Sequence, residues 1–185
     1  MTTATLSTFF ALLSLVSLAT SAGVIVVFVA ARSPNAGTRT MQLRSEFASM
    51  GLWLAWLIAA TATAGSLYYS LGAGFVPCEL CWYQRICMYP LTIVLFIAAW
   101  RRDTNVWRYV VPLAVVGALI AAYHTQLQAF PKQTTFCSVN NPCTTRYVWE
   151  FGFVSLPFMA LSAFCFVITM TLAASSHDPE LDISE

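Results

Sequence analysis

Cys78 and Cys81 form a Cys-x-x-Cys pair, and Arg85 follows four residues after the second cysteine. A pair at this spacing can close a small disulfide ring and reopen it, which suits electron transfer. An arginine one helical turn beyond Cys81 lies on the same helix face. Its fixed charge favours a thiolate there, and so does a helix N-terminus expected at about Trp82. A metal half-site and a structural disulfide are the alternatives for the pair alone. Cys137 and Cys143 form a second, close-set pair with Pro142 beside the latter. Two pairs on one face would allow dithiol–disulfide exchange. Four thiolates would also suit a tetrahedral zinc, a reading disfavoured in an oxidising space, and no metal is assigned. Two plain structural disulfides would leave Arg85 unexplained, because charge is costly near hydrocarbon. Cys87 and Cys165 lie inside apolar runs and read as small buried residues. Glu79, between the paired cysteines, reads as solvated. His124, near the end of an apolar run, is a functional candidate by its depth.

The elements that must position these residues are membrane spans. The chain is 58% hydrophobic and 9% charged, against about 25% charged residues in soluble domains. The net charge of +1 gives no sign of a nucleic-acid partner. A span needs about 20 apolar residues, and five runs qualify. The first, Leu6 to Ala31, is read as an uncleaved anchor, with a signal ending near Ala30 or Ala31 as the alternative. The others are expected at Phe47 to Leu71, Trp82 to Trp100, Tyr109 to Leu127 and Phe151 to Ala174. Gly72, Gly74 and Pro77 break the chain before Cys78. The fold class is therefore all-α and integral to the membrane: a four-helix transmembrane bundle plus one extra N-terminal transmembrane helix. Its parts are an anchor and polar linker over 1–46, the bundle over 47–174, and an acidic tail over 175–185.

Orientation follows from Lys and Arg. Arg32, Arg39 and Arg44 lie in one connection, and Arg101, Arg102 and Arg108 in another. Five spans put both on one side, which is then cytoplasmic. Arg85, Lys132 and Arg146 fall on the opposite side. Both cysteine loops are then extracytoplasmic, in an oxidising space where disulfides persist. The tail is expected to be cytoplasmic.

The run from Pro77 to Pro90, PCELCWYQRICMYP, resembles the signature of the disulfide bond formation protein B family (DsbB and its BdbC-type relatives). The likeness extends to Tyr123-His124-Thr125, to Cys143 followed by Tyr147, to Phe151-Gly152-Phe153 and to Leu156-Pro157-Phe158. The resemblance implies a four-helix bundle in a bacterial cell membrane and a bound quinone, ubiquinone or menaquinone. It also implies oxidation of an extracytoplasmic thioredoxin-like partner. A quinone-linked system of this kind keeps the bacterial periplasm oxidising. By position, Cys137 takes the attack of the partner thiol, and Cys143 exchanges with Cys78. Cys81 meets the quinone, Arg85 polarises a quinone oxygen, and His124 lies near the quinone. Two features depart from the family pattern: the span at residues 6–31 and the short spacing of the second cysteine pair. A vitamin K epoxide reductase-like enzyme would place its active Cys-x-x-Cys late in the bundle, whereas here it comes first. A non-enzymatic membrane scaffold with structural disulfides is the remaining alternative.

Overall fold

The computed structural model describes residues 3–32, 37–131, 137 and 142–176. Five helices carry the chain: α1 (Thr3–Ala30), α2 (Thr38–Leu67), α3 (Glu79–Arg101), α4 (Trp107–Ala129) and α5 (Leu156–Ser175). Each belongs to a stretch long and apolar enough to cross a membrane. Lys132, and the tail beyond Ser176, fall outside the described residues.

Three expected boundaries move. The connection read as a polar linker to residue 46 is already helical from Thr38. Its polar residues extend α2 by two turns, since Gln, Arg, Met and Leu are good helix formers. α3 starts at Glu79 rather than near Trp82, with Cys78 at the N-cap in extended conformation. The fifth span starts at Leu156 rather than Phe151. A small hairpin precedes it, with β1 (Trp149–Glu150) paired antiparallel to β2 (Val154–Ser155). The turn between them needs positive φ at Phe151 (53°) and Gly152 (81°), which no helix tolerates.

Successive helices run in opposite directions, and contacts between their ends show this. Tyr69, near the end of α2, donates to Ser7 near the start of α1 at 3.0 Å. Arg44, near the start of α2, lies over the Phe28 ring near the end of α1. Gly51 on α2 faces Met170 and Ala174 near the end of α5. Arg32, Arg39, Arg44, Arg101, Arg102 and Arg108 therefore share one end of the bundle, and the cysteine pairs share the other.

The core lies among α2, α3, α4 and α5. Within a membrane, lipid is as apolar as the side chains, so close packing of small residues drives association. Ala48, Gly51, Ala55 and Ala59 form such a stripe on α2. A Cβ on Gly51 would lie 2.6 Å from the Met170 carbonyl oxygen, so only glycine permits this approach of α2 to α5. Between α4 and α5, the fully buried Phe164 ring fills the space left by Gly117. Hydroxyl pairs add polar contacts between α2 and α3: Thr63 with Thr92 at 2.9 Å and Ser66 with Tyr89 at 3.3 Å. α1 packs on the outside of this bundle, against α5 and, over a smaller area, α2.

Candidate redox site

The site sits where three chain breaks meet. The last turn of α2, Tyr68–Gly72, widens into a π-helix, a distortion frequent at functional sites. Gly74 then takes φ 71°, and Pro77 closes the approach to α3. Cys78 caps α3 and Cys81 lies in its first turn. Their sulfurs are 3.1 Å apart as free thiols. Cys78 is buried and Cys81 partly so, while Glu79 between them is exposed, as expected. Cys137 and Cys143 are joined by a disulfide with 6.0 Å between their Cα atoms. Cys78, Leu80, Leu127 and Cys143 form one buried cluster, with Cys81 and Cys137 packed at its edge. The fold thus gathers all four cysteines from two loops.

His124 ties the two pairs together. It is 1% exposed, on α4. Its Nε2 lies 3.0 Å from the Cys143 carbonyl and 3.7 Å from Cys78 Sγ. A carbonyl only accepts, so Nε2 carries the proton and donates. Nδ1 then accepts from the side-chain amide of Gln84 at 3.0 Å. Gln84 is itself buried, on α3, and fixes both the tautomer and the ring plane. His124 borders a small cavity with Cys78, Cys81 and Pro142.

The Cys78 thiol is held well below its usual range. The Cys81 thiol donating to it is the largest cause, and the hydrogen bond from His124 adds to it against the cost of burial. Its place at the α3 N-terminus works in the same direction.

Arg85 reaches back from α3 to the end of α2. Its Nε donates to Ser66 Oγ at 2.9 Å, and its Nη2 to the Ser66 carbonyl and Ser70 Oγ, each at 3.1 Å. Its guanidinium also lies 5.3 Å from the Trp82 ring centre. Ser66 at the end of α2 and Ser70 in the π-turn thus anchor the guanidinium. Arg85 and Cys81 both border a cavity of about 160 Å³ lined by residues of α1, α2, α3 and α5. Its other walls include Phe10, Met88, Pro157 and Phe164. It is mostly apolar with a few polar groups, the usual character of a small-molecule site. A planar ring with polar oxygens fits this donor set, so the residues present suit a quinone headgroup.

Three positioning residues were not singled out from the sequence. Gln84 orients His124. Arg146 donates to the Gln128 and Ala129 carbonyls at the end of α4 and lies 3.9 Å from the Trp149 ring centre. Gln128 donates to the Thr145 carbonyl at 2.8 Å. Together the last two clamp the Cys143 loop to α4. The alternation of Gln84 with Cys81, Arg85 and Met88 on one helix was the only signal available for the first. None pointed to the others.

Comparison with known proteins agrees with this geometry. Residues 48–175 match the family model described as disulfide bond formation protein DsbB. Disulfide bond formation protein C of Bacillus subtilis (strain 168) is 45% identical over 119 residues, 63% of this chain and 86% of that protein. A probable disulfide formation protein of Coxiella burnetii (strain RSA 493 / Nine Mile phase I) is 46% identical over 115 residues, 60% and 78% of the two chains. A probable disulfide formation protein C 2 of Bacillus anthracis is 42% identical over 118 residues, 63% and 84% of the two chains. No solved structure matches the chain. With two cysteine pairs gathered at one end of a membrane bundle and this match over the bundle, the chain belongs to the disulfide bond formation protein B family and is a multi-pass membrane protein of disulfide formation.

Proposed function

We propose that the protein reoxidises an extracytoplasmic thioredoxin-like dithiol and passes the two electrons to a membrane quinone, with its arginine-rich end in the cytoplasm of a bacterial cell. The observation that carries this reading is the position of Cys81. It faces the other three cysteines on one side and borders the Arg85 cavity on the other.

The steps balance. A partner thiolate attacks Cys137 Sγ and breaks the Cys137–Cys143 bond, leaving the charge on Cys143. The second partner thiolate closes the partner's disulfide and releases Cys137. Cys143 then attacks Cys78 in an oxidised Cys78–Cys81 pair, and Cys81 leaves. Cys137 resolves this bond, regenerating Cys137–Cys143 and leaving Cys78 and Cys81 as thiols. That is the state seen in the structure. When bound, a quinone supplies the two-electron, two-proton sink. Cys81 carries the S–H bordering the cavity, and Cys78 holds the charge that closes the ring. Arg85 donates to the oxygen that gains charge. His124 holds Cys143 against Cys78. One proton comes from Cys81 and the other from the aqueous end.

The test is quinone reduction by the purified full chain with a reduced thioredoxin-like substrate. Reduction of one quinone per partner disulfide formed supports the reading. Partner oxidation without quinone consumption, or no reaction in either direction, overturns it.

A further inference from the structure

α1 lies outside the residues that match the family, which begin at 48, yet it lines the cavity that Cys81 and Arg85 border. Phe10, Leu13, Ser14 and Ser17 all line it. The buried face of α1 runs Ser7, Ala11, Ser14, Ser17, Ser21 and Val24, one helical stripe, while Phe9, Leu12, Val16 and Ile25 point outward. A stripe of small residues alone would indicate only close packing. Three further contacts bring this stripe to the site in one register. Tyr69 donates to Ser7 across the helix pair. The Phe10 ring occupies the space above Gly65, where a Cβ would lie 2.9 Å from its Cζ. Thr8 donates to the Glu150 carboxylate at 3.5 Å, tying α1 to the hairpin before α5.

We infer that α1 is the fourth wall of the headgroup site, and that Leu13 and Ser14 help determine which quinones fit it. This rests on the quinone reading above. A bundle of α2 to α5 alone would leave this side of the cavity to lipid. With α1 in place the ring meets protein on that side. The hydroxyls of Ser14 and Ser17 donate back to the Ala11 and Leu13 carbonyls, at 2.7 and 2.8 Å. Their oxygens keep lone pairs to accept a hydrogen bond from a quinol hydroxyl. Arg85 brings the opposite polarity on a separate wall, donating to the quinone oxygen. A ring with two oxygens matches both.

The experiment uses the full chain and a photoreactive short-chain benzoquinone. Illumination followed by peptide mapping should place label on α1 within residues 9–18 as well as on α3. In turnover, Leu13→Ala should raise the quinone KM about tenfold with kcat unchanged, the scale of a lost pocket contact. Ser14→Leu, which fills the cavity, should lower quinone binding by at least about tenfold. Val16→Ala, on the outward face, should do neither. In all three, reduction of the Cys137–Cys143 bond by partner thiols should proceed as in the parent, which also reports an intact fold. Label on α2, α3 or α5 with none on α1, or a parental KM in both cavity variants, overturns the inference and leaves the quinone reading standing. If the parent chain neither takes label nor reduces quinone, both fall.

Discussion

The two cysteine pairs are held in different ways. Cys78 and Cys81 sit at the start of a 23-residue helix, with the helix N-terminus, His124 and Arg85 all close by. Cys137 and Cys143 are joined across a sequence separation of 6, and among the described residues the clamp from Arg146 and Gln128 holds the Cys143 side. The first pair is fixed in position and tuned electrostatically. The second is held at its Cys143 side, and on the proposed reading Cys137 is the member that meets the partner. On the proposed reading the two pairs have separate tasks: the helix pair serves the membrane quinone, and the loop pair serves the partner.

The largest effect should come from cutting the link between the pairs. Cys81→Ser should abolish quinone reduction while partner thiols still open Cys137–Cys143, as followed by thiol labelling. Equal loss of both reactions would erase the division of tasks.

Next in size is the order within the loop pair. Cys143→Ser should trap a mixed disulfide between Cys137 and the oxidised partner, because the lone Cys137 thiol opens the partner's disulfide and Cys143 is absent to displace the partner and re-form Cys137–Cys143. Cys137→Ser should trap none. A non-reducing gel of both variants decides, and trapping only in Cys137→Ser would reverse the assignment.

Arg85→Gln sharpens the membrane side of the comparison. A charge-assisted hydrogen bond is worth about 1.5–3 kcal/mol, or roughly 10- to 100-fold in rate or affinity. Quinone turnover should fall by about that factor, with disulfide exchange at the loop pair intact. Arg85→Lys should fall between, since lysine keeps charge and loses the planar fork. Parental kinetics in Arg85→Gln would mean that the Ser66 and Ser70 contacts are its whole role.

His124→Ala tests the joint between the pairs. The depressed Cys78 pKa keeps the thiolate present as pH falls below the ordinary thiol range of about 8.5. Removing His124 deletes one cause of that depression, so the folded pKa rises. The acid limb of quinone reduction should therefore move to higher pH, a smaller effect than the substitutions above because the Cys81 contact remains. An unmoved pH profile would leave His124 with a packing role only.

Much of this was legible in the chain. Apolar runs marked five spans, and the arginines sorted their ends. The Cys-x-x-Cys with Arg85 marked the reactive stretch, because these signals are local and depend on spacing alone. The helical start at Thr38 was hidden by its polarity, since a helix projecting past the apolar zone looks like a linker. The starts of α3 and α5 were misplaced because they depend on capping and on positive φ at Phe151 and Gly152, which residue type does not announce. The Gln84–His124–Cys143 chain joins positions 40 and 19 residues apart. The Ser66–Arg85 anchor spans 19. Such contacts exist only once helices pack. The docking of α1 onto the cavity was invisible for the same reason: its serines read simply as part of a weakly polar span.

The account turns on whether electrons pass from the helix pair to quinone. The most direct measurement is an anaerobic single turnover of fully reduced protein with quinone, counting thiols lost and quinone reduced. The account predicts that the Cys78–Cys81 disulfide forms with one quinone reduced per ring closed, and that Cys81→Ser does neither. Ring closure without quinone reduction, or quinone reduction that persists in Cys81→Ser, would contradict it.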